Sequence, residues 1–232
     1  MLFRSASPEE LKRCPYIIDR IEKCRRFRAE EGIASDTKAL AATPTVFRET
    51  KNPESYVVVP SVSSEKRNYI PFGFETSETI ATNLCLVIND ASLYQFGILS
   101  STTHMAWVRA VCGRLESRYR YSAGIVYNNF PWPEPTEKQQ AVIEAAAQKV
   151  LDTRAQYPSA TLADLYDPLT MPPDLVKAHQ ALDKVVDAAY GKTGFKTEAE
   201  RVAFLFERYQ QLTAPLVAAE KLAKKKLPKV QP

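Results

Sequence analysis

The chain has 232 residues, 45% of them hydrophobic and 25% charged, with a net charge of +4. That composition excludes a disordered chain, and with no run of about eighteen apolar residues it offers no membrane-spanning helix; the length suits one large or two small domains. A pI near 8.8 is compatible with nucleic acid without demonstrating it.

The start, MLFRSASPEELKRC, carries no apolar signal core, so a cytoplasmic location and no contact with membrane are expected. Cys14, Cys24, Cys85 and Cys112 form no CxxC pair, and only His104 and His179 are available to join them. Reduced, mostly buried thiols are therefore expected, with no metal site.

From Ser7, SPEELKRCPYIIDRIEKCRRFRAEEG reads as a helix capped by Ser7, with Pro8 in the first turn and Pro15 as a break or restart. Ile17, Ile18, Ile21 and Cys24 give an apolar stripe flanked by Arg25, Arg26 and Arg28, and a short helix over DTKALAA is expected to be capped by Asp36. The period then changes. SYVVVPSVSS, RNYIPFGF and NLCLVIND are short runs bounded by turn formers and read as strands. In SSTTHMAWVRAVCGRL, Met105, Val108, Val111 and Cys112 return to helical spacing behind hydroxyl caps.

VYNNFPWPEP, residues 126–135, resembles a permuted Asn-Pro-Pro-aromatic motif of amino-methyltransferases. Phe130 separates Asn129 from Pro131, and Trp132 separates the prolines, so the stretch is read as a rigid clamp between two compositions. Beyond it every segment reads as helix, beginning with Thr136 and Gln139 as a capping box. The basic run KLAKKKLPK, residues 221–229, fits a solvated terminus as well as a phosphate contact.

There is no Walker loop, GxGxxG, HExxH or GxSxG, and no enzyme site is legible. ESRYRYS, residues 116–122, stands apart. If extended, it places Glu116, Arg118 and Arg120 on one face and Ser117, Tyr119 and Tyr121 on the other. An arginine fork reaches guanine O6 and N7 and a carboxylate accepts from cytosine N4, so this face suits a C·G pair. It equally suits an ordinary surface strand whose glutamate and arginine pair with each other.

RNYIPFGF, then NLCLVINDASLYQFGILSSTTHMAWVRAVCGRLESRYRYSAGIVYNNFPWPEP, then LADLYDPLTMPPDLVKAHQALDKVVDAAYG closely resemble the C-terminal third of MmeI-like (type IIL) restriction-modification methyltransferases, over essentially the whole chain. The resemblance implies a bacterial protein and a piece of a larger polypeptide. That polypeptide would carry an S-adenosylmethionine-dependent adenine-N6 DNA methyltransferase domain and, in some members, a nuclease motif. The Gly-rich cofactor motif and the Asn-Pro-Pro-Tyr motif are not in this sequence, so it is expected to begin inside the target-recognition domain and neither to methylate nor to cut alone, with no cofactor of its own.

The resemblance further implies that Glu116, Arg118 and Arg120, together with Asn83 and its neighbour Leu84, occupy positions that read base pairs, with Ser117 as a weaker hydroxyl contact. Lys66, Arg67, Arg109 and Arg114 are candidates for phosphate contacts, against a solvated surface role for each. The expected fold is α+β, with an N-terminally incomplete target-recognition domain over residues 1–135 and an all-α C-terminal domain over 136–232. The expected partners are double-stranded DNA and the methyltransferase domain of the same polypeptide. A specificity-subunit-like DNA-binding protein and a helical protein-interaction scaffold are the alternatives.

Overall fold

The computed structural model describes residues 7–46, 53–192 and 194–226. It divides into two compact units, Met1–Asn52 and Pro53–Pro232. The first begins as its sequence directs. Ser7 accepts from the Glu10 N–H while the Glu10 carboxylate accepts from the Ser7 N–H, and donation from the Ser7 N–H first, then from the Ser7 hydroxyl, holds the Glu10 carboxyl below its usual range. Helix α1 (Pro8–Lys12) stops, and α2 (Pro15–Ala29) restarts with Pro15 in its first turn. Its stripe of Ile17, Ile21 and Cys24 is only half-buried, and Ile18 is exposed. Arg28 donates to the carbonyls of Leu40, Thr43 and Val46 and so ties the segment after α3 (Ser35–Ala39) back to α2. Asp36 lies inside the first turn of α3 rather than at its cap, where Ala34 stands.

The second unit carries two antiparallel three-stranded sheets and the remaining helices, an α+β arrangement with a helical C-terminal part. In the first sheet β1 (Ser55–Pro60) lies between β3 (Gly73–Thr76) and β4 (Cys85–Asn89), with Tyr56, Val57 and Val59 buried. In the second, β6 (Arg118–Arg120) lies between β2 (Val62–Ser63) and β5 (Gly113–Leu115). RNYIPFGF is not a strand over most of its length. Pro71 has no N–H for a ladder, and the Phe72 N–H donates to the Ile70 carbonyl at 2.9 Å in a tight three-residue turn. Its Tyr69, Ile70 and Phe72 still reach the core.

Hydroxyl caps start α4 (Leu93–Leu99) at Ser92, α5 (Thr102–Val111) at Ser101, α6 (Glu137–Ala155) at Thr136 and α7 (Leu162–Leu165) at Thr161. Helix α8 (Pro173–Ala189) begins on Pro173, and α9 spans Glu198–Lys226 with Pro215 inside it. Of the basic run at 221–229, residues 221–226 continue α9 and 227–229 lie outside the described residues. Among the described residues no helix is long and apolar enough to cross a membrane. Of the four thiols, Cys112 is buried and Cys14, Cys24 and Cys85 are half-buried.

Helices on either side of residue 135 share one core. Gly97 lets α4 approach α6: a Cβ there would lie 2.9 Å from Ile143 Cγ2 and 3.1 Å from Ala147 Cβ. Trp107 of α5 packs on Phe206 and Tyr209 of α9. The VYNNFPWPEP segment is bolted into this core. Phe130 is buried edge-on to His104 and Trp107, the Tyr94 hydroxyl donates to the Pro133 carbonyl, and the Tyr190 hydroxyl donates to the Pro131 carbonyl. The Asn129 amide donates to the carbonyls of Gly124 and Ile125, closing the wide helical turn Ala123–Tyr127. A side chain spent on its own backbone in this way serves the turn, not methyl-transfer chemistry.

Candidate nucleic-acid interface

Leu115 pairs with Arg118, so β5 and β6 are joined by the two-residue loop Glu116–Ser117. Such a loop requires positive φ at its first residue, a place normally given to glycine. Glu116 occupies it at φ 58°. The expected strand face is therefore corrected: Glu116 and Ser117 form the hairpin tip, and strand alternation applies only from Arg118 onward, because reversing the chain in two residues leaves no strand geometry at the tip. Within β6, Tyr119 is 4% exposed while Arg118 and Arg120 face outward.

At the tip, Arg118 Nη2 lies 2.7 Å from Glu116 Oε2, with the two side chains 46% and 77% exposed. An exposed pair of this kind contributes about 0–1 kcal/mol, so opening it costs little. Arg120 has no ion pair among the described residues. Arg114 stacks over the Tyr119 ring at 4.1 Å and donates to the Ser117 carbonyl, bracing the tip from behind.

Positive φ at a non-glycine residue costs about 1–2 kcal/mol. Glu116→Gly is therefore expected to raise stability by up to about 1 kcal/mol, as measured by urea unfolding. An unchanged or lowered midpoint would show that the ion pair, not the backbone, governs the tip.

Asn83 and Leu84 form the turn entering β4, both exposed, Leu84 to 70%. The strand network brings them beside β6: the Ser61 N–H donates to the Leu84 carbonyl at 3.0 Å, and the Tyr121 N–H donates to the Ser61 carbonyl at 2.9 Å. Ser61 itself escapes sequence reasoning, since a serine after Pro60 looks like any loop residue. Tyr121 is anchored beneath, its hydroxyl 2.9 Å from His104 Nε2, and burial pushes His104 down to about 3, so the ring is neutral.

The four candidate phosphate contacts differ in availability. Lys66 is exposed, and Arg67 is half-buried near Ser63 Oγ. Arg109 donates to Glu198 at 2.6 Å and to the Arg67 carbonyl at 3.5 Å, so much of its charge is already balanced. Arg114 is occupied as described. Of the candidates, the structure groups Glu116, Ser117, Arg118 and Arg120 on one hairpin, with Asn83 and Leu84 on the far side of the intervening Ser61, while Lys66, Arg67 and Arg109 lie together through the Arg67 backbone.

The model of the MmeI target recognition domain matches residues 1–134, and that of the MmeI C-terminal domain matches residues 135–217. DNA methyltransferase A of Bacillus subtilis (strain 168) is 46% identical over 209 residues, which make up 90% of this chain and 24% of that protein. The solved structure of the type IIL restriction-modification enzyme MmeI in complex with DNA is similar with a TM-score of 0.78 at 47% identity, covering 91% of this chain and 28% of that one. The chain thus spans about a quarter of the length of these relatives. Sequence and overall fold together place the chain in the MmeI family, in which it comprises the target recognition domain followed by the C-terminal domain.

Proposed function

We propose that this chain is the sequence-reading module of a restriction-modification DNA methyltransferase that modifies adenine at N6. The recognition module runs over residues 1–135 and continues into a helical domain over 136–232. The observation that carries the reading is the exposed Glu116–Arg118 pair at the hairpin tip, with Arg120 outward on the same strand. On a C·G pair the two partners part: the carboxylate accepts from cytosine N4, and the guanidinium donates to guanine O6 and N7. Until then each neutralises the other, which disfavours pairs that cannot satisfy both. Arg120, Asn83 and Leu84 read neighbouring pairs, Ser117 adds a hydroxyl, and Lys66 and Arg67 set register on phosphates. That a relative's solved structure is a complex with DNA supports the same reading.

S-adenosylmethionine is the cofactor proposed for that methyltransferase, and a glycine-rich turn leading from a strand into a helix is the kind of element that would hold it. The cofactor, the target adenine flipped from the duplex and the methyl transfer are assigned to a methyltransferase domain in the rest of the polypeptide.

The test is selection from a pool of randomised duplexes at moderate salt, with the double variant Glu116→Ala/Arg118→Ala beside the parent. One short motif should be enriched, and one C·G position within it should become unconstrained in the double variant. In titrations, Arg118→Ala is expected to lose about 5- to 150-fold on the selected site, from about 1–3 kcal/mol per bidentate contact, and far less on random DNA. Lys66→Ala and Arg67→Ala should instead weaken all sequences alike and flatten the salt dependence. Retention of the same motif by the double variant would remove the base-reading role, and duplex binding insensitive to salt would favour a protein-interaction scaffold.

A further inference from the structure

Ser61 is the single residue between β1 and β2, and the chain changes sheets there. In a regular antiparallel strand a residue directs its N–H and C=O to the same neighbour, because paired residues exchange both bonds. At Ser61 they diverge, the N–H going to the Leu84 carbonyl and the carbonyl receiving the Tyr121 N–H. Each bond extends an existing register by one step, beyond Pro60↔Cys85 on one side and Val62↔Arg120 on the other. The Asn83–Leu84 turn and the strand bearing Arg118 and Arg120 therefore flank one residue, each about 4.8 Å away in the ladder.

Neither flank has much slack. Tyr121 is buried with its hydroxyl against His104, and Tyr119 is buried two residues before it. On the other side the Cys85 N–H donates to the Thr82 carbonyl at 2.9 Å, and the Leu84 N–H reaches Thr82 Oγ1 at 3.4 Å, so the turn is tight. A displacement of either segment is passed to the other through the Ser61 backbone.

Resting on the DNA-reading role proposed above, we infer that Ser61 is a positioning residue that couples the two base-reading segments. The pair read by Asn83 and Leu84 and the pair read by Glu116 and Arg118 are then recognised as one unit. The Ser61 hydroxyl takes part in neither bond; the backbone does the coupling.

The test uses the full-length parent polypeptide and the duplex that it selects. Leu84→Ala, Arg118→Ala and their combination are titrated in the parent, in Ser61→Ala and in Ser61→Pro. Coupling predicts that the combined loss departs from the product of the single losses by at least about threefold, beyond the scatter of independent sites. Ser61→Pro removes the N–H bound to Leu84 and should shift base preference at the positions read by both segments. Ser61→Ala keeps the backbone and should shift neither. Multiplicative losses, or a Ser61→Pro effect confined to one position, would overturn the inference. If Ser61→Pro does not fold, the cycle in the parent and in Ser61→Ala decides by the same criterion. If neither single variant changes base preference, the DNA-reading role itself fails and the coupling with it, an outcome distinct from silent coupling between two active readers.

Discussion

Arg201→Ala is expected to destabilise the protein by about 3–5 kcal/mol, because it strands a carboxylate inside the fold. Arg201 Nη2 lies 2.9 Å from Asp187 Oδ2, with side chains only 11% and 5% exposed. The other Asp187 oxygen accepts from the Thr103 hydroxyl at 2.7 Å. The pair thus ties α9 to α8, with α5 joined through Thr103. Without the guanidinium the charge is left with one hydroxyl and no water shell, and α9 loses the anchor that seats Phe206 and Tyr209 on Trp107. Total stabilities of about 5–15 kcal/mol make such a loss severe. Urea unfolding at pH 7 measures it, and replacing both partners by apolar residues of similar volume should recover much of it. A loss below about 1 kcal/mol would show that solvent reaches Asp187.

Acid should act on the same scale through two histidines. The hydrogen bonds around His179 fix its tautomer: Arg154 donates to the Tyr166 oxygen, the Tyr166 hydroxyl donates to His179 Nε2, and His179 Nδ1 donates to the Ser100 carbonyl. Burial first, and then the nearby Arg154 charge, push His179 down to about 3, and burial alone does the same to His104. In the unfolded chain a histidine titrates near 6.5, so between roughly pH 6.5 and 3 the unfolded state binds more protons. Stability is therefore full above that window and falls as pH falls through it. Going from pH 7 to 5 should cost about 2 kcal/mol per histidine, hence about 4 kcal/mol together. Asp183, raised by burial, works in the opposite direction, since its folded carboxyl takes up a proton before the unfolded one does. Urea midpoints at pH 7, 6 and 5 give the slope, and His104→Gln should remove about half of it. A flat profile would mean that protonated histidine is accommodated in the folded state.

Much of the helical half is legible from local chemistry. The hydroxyl followed three residues later by glutamate or glutamine at Ser7 and Thr136 marks helix starts because both bonds of the capping box close within one turn. The strand half is less legible. RNYIPFGF has the composition of a strand, yet Pro71 turns it, and its aromatics are buried by the fold around them rather than by a ladder. Asp36 resembles a cap but sits two residues past the cap position, which Ala34 holds. Alternation through ESRYRYS holds at Arg118, Tyr119 and Arg120 and fails at Glu116 and Ser117, because a hairpin reversal leaves little local signal when glycine is missing from its tip.

The sequence by itself determined the α+β class, the capping-box helix starts at Ser7 and Thr136, the outward Arg118 and Arg120, and, through long motifs, the family. These are properties carried within one element or in an extended stretch of identical residues. Only the tertiary structure decided which residues meet. It set Glu116 at positive φ against Arg118, balanced Arg109 with Glu198, and put Leu84 and Tyr121 on opposite sides of Ser61. The physical reason is that each of these depends on a chain reversal or on a backbone bond between strands distant in sequence. Local patterns report the face a side chain takes within its own element, whereas the neighbour across a ladder is chosen by the register of the whole sheet.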